Sequence, residues 1–310
     1  MQYKGSMVAL VTPFRAGRVD EAALTKLINW HAAQGTSALV PCGTTGESAT
    51  LSTEEHERVI SVTIQAARGR LPVIAGTGSN NTAEAIELTR YAKRAGADAA
   101  LLIAPYYNRP TQEGLFQHFQ AIAEAVDLPL LPYNIASRTG VNIEPETFAR
   151  LMACKNIVGV KEASGNLEQM SRIKLLCGER FALISGDDAL TLPVLAIGGT
   201  GVISVVANLV PRDVTDMVAA FQRRDIVTAR KLHLQLLPLI KACFIETNPI
   251  PVKTALGLLK MIDPELRLPL CPMSAAHLEQ LRAALVHYGL LRPSGQPATA
   301  ARTPKAAATR

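Results

Sequence analysis

The sequence predicts an α/β fold, a (β/α)8 (TIM) barrel with a C-terminal helical extension, on three observations. Eight short apolar runs rich in β-formers recur along the chain. Most lack polar alternation, as strands buried on both faces of a parallel sheet require. Helix-length amphipathic segments with readable start signals separate them. The phosphate-binding glycine pattern of a doubly wound sheet is missing, because Gly76-Thr77-Gly78-Ser79 lacks the third glycine and does not follow the first strand.

The elements follow in order. The predicted strands are Met7–Thr12, Ala38–Pro41, Pro72–Ala75, Ala99–Ala104, Leu128–Tyr133, Ile157–Val160, Phe181–Ile184 and Gly201–Val206. Asp20 and Thr82 are read as helix N-caps, and Ser52-Thr53-Glu54-Glu55 as a capping box. Gly35 and Gly96 stand just before the second and fourth strands, where a left-handed residue ends a helix. Three further helical patterns, about Ile226–Phe244, Pro251–Met261 and Ser274–Tyr288, form the extension. The expected division is a barrel over 1–224, the extension over 225–292, and an Ala/Thr/Pro-rich, disordered tail over 293–310.

Composition sets the outer bounds. The 310 residues are 48% apolar and 19% charged, with mean hydropathy +0.16. Such a chain buries a large core, which excludes disordered, collagenous and small disulfide-stapled classes. A net charge of +6 and a pI near 9.1 raise the question of a polyanionic partner. Residues 293–310 supply +3 of that through Arg302, Lys305 and Arg310, which leaves +3 on the rest. One Trp, six Tyr and seven Phe are few for a stacking platform, so no nucleic acid is expected.

Five cysteines, at 42, 154, 177, 243 and 271, show neither CxxC nor metal-ligand spacing. The start lacks the apolar run of a signal peptide, and a reducing cytoplasm is the expected location. From Ala189 to Pro211 no residue is charged, a length that could span a bilayer. Pro193, Gly198-Gly199-Thr200-Gly201 and Asn208 break it into a helix, a turn and a strand, so it is read as barrel core with no membrane partner.

In a barrel the C-terminal strand ends carry function. The sixth strand ends in Gly159-Val160-Lys161-Glu162-Ala163, and strand alternation places Lys161 on the face of Ile157 and Gly159. An amine desolvated there has a lowered pKa and can attack a carbonyl. A lysine paired with Glu162 fits the strand equally well. The fifth strand ends in Tyr133-Asn134-Ile135-Ala136-Ser137-Arg138, where Tyr133 suits proton transfer and Arg138 a carboxylate. A core tyrosine and a surface arginine look the same when taken singly. Gly43-Thr44-Thr45-Gly46-Glu47 after the second strand is a turn that can converge on a small anion. Pro105-Tyr106-Tyr107-Asn108 presents phenol groups after the fourth. The six histidines form no metal-binding pattern, so no metal is expected, and Cys42 is read as packing. The loops after strands seven and eight are not basic, which argues against a phosphorylated substrate.

Together these motifs resemble the pyruvate-dependent class I aldolase family that includes dihydrodipicolinate synthase and N-acetylneuraminate lyase, over about Gly5 to Leu290. The other carriers are Ala9-Leu10-Val11-Thr12-Pro13-Phe14 and Asn248-Pro249-Ile250-Pro251-Val252-Lys253. The second threonine of the turn and Ser137-Arg138-Thr139-Gly140 side with the synthase branch. The resemblance implies that Lys161 forms a Schiff base with pyruvate and Tyr133 is the general acid/base. It also implies a hydroxyl relay through Thr44 and Tyr107, with Tyr107 reaching a neighbouring subunit's site. Thr45 would bind the pyruvate carboxylate and Arg138 that of aspartate 4-semialdehyde. Gly186 and Ile203 match main-chain carbonyl positions.

The implied activity is a Schiff-base lyase making 4-hydroxy-tetrahydrodipicolinate for lysine and diaminopimelate biosynthesis, with no cofactor beyond the lysine. The alternatives are a paralogous aldolase using a sugar-acid or aromatic aldehyde, and a non-catalytic small-acid-binding regulator. Ser48, Ala49, His56, Asn80, Glu84 and Tyr106 match an interface site for lysine as feedback inhibitor, with Thr53 where many inhibited enzymes have histidine. The resemblance further implies a homotetramer, at least a dimer. Ala136, Ser164 and Asn166 depart from the usual Pro, Thr and Asp.

Overall fold

The computed structural model describes residues 3–292. The segment expected to be a disordered tail, 293–310, lies outside the described residues. Eight parallel strands form one sheet: β1 (Gly5–Ala9), β2 (Ala38–Val40), β3 (Ile74–Gly76), β4 (Ala99–Ile103), β5 (Leu130–Asn134), β6 (Gly159–Glu162), β7 (Ala182–Ser185) and β8 (Gly201–Ser204). They are ordered β2-β1-β8-β7-β6-β5-β4-β3, and a parallel bridge between Leu39 and Val73 closes the barrel.

One helix follows each strand: α1 (Glu21–Gln34), α2 (Thr53–Ala67), α3 (Thr82–Ala95), α4 (Gln112–Ala125), α5 (Pro145–Leu151), α6 (Leu167–Cys177), α7 (Thr191–Ala196) and α8 (Pro211–Gln222). The extension adds α9 (Ile226–Cys243), α10 (Ile250–Leu258) and α11 (Ala275–Tyr288). The uncharged stretch from Ala189 falls within α7, β8 and the turn at Asn208. Among the described residues no helix is long and apolar enough to cross a membrane.

The capping chemistry is as expected at four of the five helix starts and ends read closely. Asp20 accepts from the Ala23 N–H, Ser52 and Glu55 form the reciprocal box, and Gly35 and Gly96 end their helices at φ 82° and 97°. At α3 the cap is Asn81 rather than Thr82. The Asn81 side chain accepts from the Ala83 N–H, while the Thr82 hydroxyl meets His118 Nδ1 at 2.9 Å. The Asn81 amide one residue earlier satisfies the helix end, and the threonine hydroxyl goes to a neighbour. A small hairpin, Phe14–Arg15 against Arg18–Val19, was not expected. Its two-residue turn places Ala16 and Gly17 at positive φ, the geometry that matches strand twist.

Strand alternation builds two layers. Met7, Ala9, Ala38, Val40, Ile74, Ala99, Leu101, Leu131, Tyr133, Ala182, Ile184 and Ile203 fill the barrel interior. Val8, Leu39, Leu102, Leu130, Val160, Leu183 and Val202 face the helices. Lys161 pairs in register with Tyr133 and Ile184, both interior positions. Ile157 does not share that face. It packs with the outer layer, because β6 begins only at Gly159 and the chain changes course just before it. A Cβ on Gly159 would lie 2.4 Å from the Ala182 carbonyl oxygen, so β6 and β7 approach closely only with glycine there.

The extension is tied to the barrel by buried charge. Lys253 on α10 is fully buried, donates to the Thr12 carbonyl at 2.9 Å and to Glu47 Oε1 at 2.5 Å, and lies 4.2 Å over the Phe14 ring. Glu47 in turn accepts from the Arg267 N–H, while the Arg267 guanidinium grips Glu55 with two bonds of 2.6 Å. Removing one partner of such a pair strands the other charge in the interior. Lys253→Met is therefore expected to lower stability by about 3–5 kcal/mol in denaturant unfolding. Adding Glu47→Gln to that variant should recover part of the loss, since the orphaned charge is gone.

Candidate active site

The C-terminal mouth of the barrel brings most of the chemistry-bearing residues to one small cavity of about 50 Å³. Its walls include Gly43, Thr44, Thr45, Tyr133, Arg138, Lys161, Gly186 and Asn248. Lys161 is 6% exposed, with its amine 4.0 Å from the centre of the Tyr133 ring. Burial drives its pKa down to about 7; the nearby Asp188 carboxylate opposes that shift and Arg138 adds to it. The amine is thus substantially neutral near neutral pH.

Glu162 does not pair with it. As the next residue on the strand it points to the outer layer, accepting from Asn134 at 3.0 Å, from the Ser164 N–H at 2.6 Å and from Gln169 at 3.2 Å. Burial raises the Glu162 pKa, while those donors pull it back. The stem of Lys161 runs against Gly186: a Cβ there would sit 3.0 Å from Lys161 Cε and 2.8 Å from the Ala163 methyl.

Tyr133 is 5% exposed, and burial raises its phenol to about 12, with Arg138 and the Thr44 hydroxyl acting in the opposite sense. Thr44 and Thr45 lie in the single 3-10 turn Thr44–Gly46, closed by the Gly46 N–H on the Gly43 carbonyl at 3.0 Å. Glu47 leaves that turn at φ 53°, a left-handed conformation held by Lys253 and Arg267. Arg138 projects from the single helical turn Ala136–Thr139 and donates to the Asn248 carbonyl at 3.2 Å. That turn closes without a proline, because the N–H groups of Arg138 and Thr139 reach the Ile135 carbonyl and that of Gly140 the Ala136 carbonyl. Asn166 caps α6 through the Gln169 N–H at 3.1 Å.

Two of the expected residues lie elsewhere. Ile203 is 1% exposed in the barrel interior below the cavity. Tyr107 is 90% exposed at φ 72° and lines neither this cavity nor its neighbour. Cys42 is buried, its thiol pushed up by desolvation, with the His56 carbonyl at 3.6 Å. A second cavity of about 340 Å³ is lined by Ser48, Ala49, His56, Glu84 and Tyr106. Asn80 stands beside it and donates to the Tyr106 carbonyl at 3.1 Å.

Sequence reasoning missed Asn248 and Asp188. Asn248 comes from the extension, 203 residues from Thr45. Asp188 is buried and accepts from Ser204 and from the Val205 N–H at 2.9 Å, with its pKa raised by burial to about 6. Its only signal was the acidic run after the seventh strand, which reads as a loop surface.

The model of the Dihydrodipicolinate synthetase family matches residues 2–288. A 4-hydroxy-tetrahydrodipicolinate synthase of Nitratidesulfovibrio vulgaris is 57% identical over 292 residues, 94% of this chain and 100% of that one. The crystal structure of a chloride-inhibited dihydrodipicolinate synthase from Acinetobacter baumannii, complexed with pyruvate, superposes with TM-score 0.91 at 48% identity, covering 94% of this chain and 100% of that one. A dihydrodipicolinate synthase from Cyanidioschyzon merolae with lysine bound gives TM-score 0.90 at 44% identity, covering 94% and 100%.

The depressed Lys161 pKa has a direct consequence. Competitive labelling with a small acylating reagent, read by mass spectrometry of the Lys161 peptide, should rise with pH and reach half its maximum near pH 7. Surface lysines should stay largely protonated until about pH 10. A Lys161 profile that follows theirs would contradict the assignment.

Proposed function

This chain belongs to the Dihydrodipicolinate synthetase family, and from that premise we propose how its barrel mouth performs the family's reaction. The activity is a lyase reaction of lysine and diaminopimelate biosynthesis: pyruvate condenses with L-aspartate 4-semialdehyde to give 4-hydroxy-tetrahydrodipicolinate. The observation that carries the site assignment is Lys161, buried and without a salt bridge among the described residues, 4.0 Å over Tyr133.

The neutral Lys161 amine attacks the keto carbon of pyruvate, and loss of water gives an iminium. That cation draws electrons from the methyl group, which loses a proton to become an enamine. Enamine carbon attacks the aldehyde, and the amine of the semialdehyde then displaces Lys161 as the ring closes. No organic or metal cofactor has a step to perform, because the iminium is the electron sink. Tyr133 moves protons at the keto oxygen and at the nascent hydroxyl. Its raised pKa keeps the phenol protonated and able to donate.

Thr44 passes that proton outward, and Thr45 holds the pyruvate carboxylate. Arg138 receives the carboxylate of the semialdehyde bidentately at the open side of the cavity. Gly186 serves as a main-chain group around the adduct, while Ile203 packs in the barrel interior below it. Tyr107 completes the relay in the site of a second chain, which requires at least a dimer and fits a homotetramer. Its exposure in a single chain supports that reading. Lysine binds the larger cavity as feedback inhibitor, with Glu84 holding an ammonium group and Ser48, Ala49, His56, Asn80 and Tyr106 around it.

Three experiments test this reading. Borohydride with pyruvate should fix a stable adduct on Lys161, and Lys161→Ala should abolish it; no adduct on the native chain would refute the mechanism. Arg138→Ala should leave the pyruvate adduct nearly intact while lowering kcat/KM for the aldehyde about 100-fold, the scale of a lost charge-assisted bidentate contact. Calorimetry should show millimolar or tighter lysine binding that Glu84→Ala removes. Heats equal to dilution would exclude the inhibitor site.

A further inference from the structure

Thr45 is 3% exposed and takes part in one side-chain hydrogen bond within the described residues: its Oγ1 accepts from Asn248 Nδ2 at 2.9 Å. Other threonines of this region spend their hydroxyl proton on the protein. Thr12 donates to the Gly46 carbonyl, Thr50 to that of Glu47 and Thr139 to that of Ile135. An amide N–H can only donate, so Asn248 occupies a lone pair of the Thr45 oxygen and leaves the hydroxyl proton to point elsewhere. The free direction is the cavity beside Lys161, whose wall includes both residues.

Asn248 is itself 5% exposed, and its Oδ1 is buried without a hydrogen-bond partner among the described residues. Its main-chain carbonyl accepts from Arg138 at 3.2 Å. One residue of the extension therefore touches both groups assigned to substrate carboxylates. Five residues on, Lys253 fixes Glu47 at the end of the same turn.

We infer that Asn248 is a positioning residue that sets the direction of the Thr45 hydroxyl, so that its proton is presented to the carboxylate of pyruvate. The inference rests on Thr45 as the pyruvate-carboxylate group. Without Asn248 the hydroxyl is free to rotate and to present its lone pairs to the anion. With a carboxylate in place of the amide, the hydroxyl donates backward and a second negative charge faces the substrate.

Steady-state kinetics of Asn248→Ala, Asn248→Asp, Thr45→Val and the double variant Asn248→Ala/Thr45→Val, with thermal unfolding of each, test it. Asn248→Ala should raise KM for pyruvate about tenfold, the scale of one hydrogen bond to a charged group. The KM for the aldehyde should change less, because the carbonyl that holds Arg138 remains. Asn248→Asp, almost the same shape, should be worse than alanine. In the Thr45→Val background, Asn248→Ala should add less than about twofold, because the two act as one unit.

Pyruvate KM unchanged in Asn248→Asp, or effects of Asn248→Ala and Thr45→Val that multiply, would overturn the inference while leaving the Thr45 assignment standing. So would a joint fall in melting temperature, kcat and both substrate affinities, the mark of a merely structural residue. A normal pyruvate KM in Thr45→Val would overturn the Thr45 assignment and the inference with it.

Discussion

Keeping one amine dry and unpaired at the open end of a barrel is the constraint from which the rest of this site follows. A lysine desolvated beside a carboxylate stays charged, and an exposed one stays charged as well. The chain meets the demand by strand alternation. Lys161 turns inward over Tyr133, and its neighbour Glu162 turns outward to three donors. Gly159 lets β6 and β7 close together, and Gly186 leaves room for the lysine stem. The one acid that acts on the amine, Asp188, is itself engaged by Ser204 and the Val205 N–H. Its charge is thereby shared with donors that the lysine does not have to supply.

Lys253 shows the opposite solution with the same side chain. It is as deeply buried, yet it has Glu47, a backbone carbonyl and an aromatic face around it. Burial lowers its pKa while Glu47 raises it, and a bonded carboxylate at 2.5 Å leaves it no lone pair to offer. Among the described residues one buried lysine has no salt bridge, and the other holds the extension to the turn of Thr44 and Thr45. Exposure alone would not separate them. The partner list does.

The barrel was readable because parallel strands, buried on both faces, leave apolar runs that no other element matches in length and spacing. That Lys161, Tyr133, Thr44, Thr45 and Arg138 share one cavity was foreshadowed by their places at strand ends, where barrels put function, while Gly186 entered only through the family resemblance. The register of Ile157 was not readable, since Ile157 packs outward and the strand proper begins only at Gly159. Thr82 was displaced as a cap by Asn81 because His118, 36 residues away, competes for its hydroxyl. Asn248 was legible as part of a motif but not as a site residue. Its partner lies 203 residues earlier, and nothing in the local pattern of the connection before α10 says which strand end it will face.

The two cavities share part of their walls, and that sharing limits how they can act independently. Thr44, Arg138 and Asn248 line both. A ligand in the larger one therefore presses on the back of residues whose front faces Lys161. The turn between them is held by the Glu47–Lys253 pair and by Asn248 on Thr45, so its backbone has little room to shift. Side-chain torsions are the remaining freedom: the Thr44 hydroxyl, the Arg138 fork and the Asn248 amide. Reorientation of hydrogen bonds at these shared side chains is the route between the cavities that their common walls provide. By linkage, a ligand that changes those orientations changes pyruvate binding by the same factor as pyruvate changes its own.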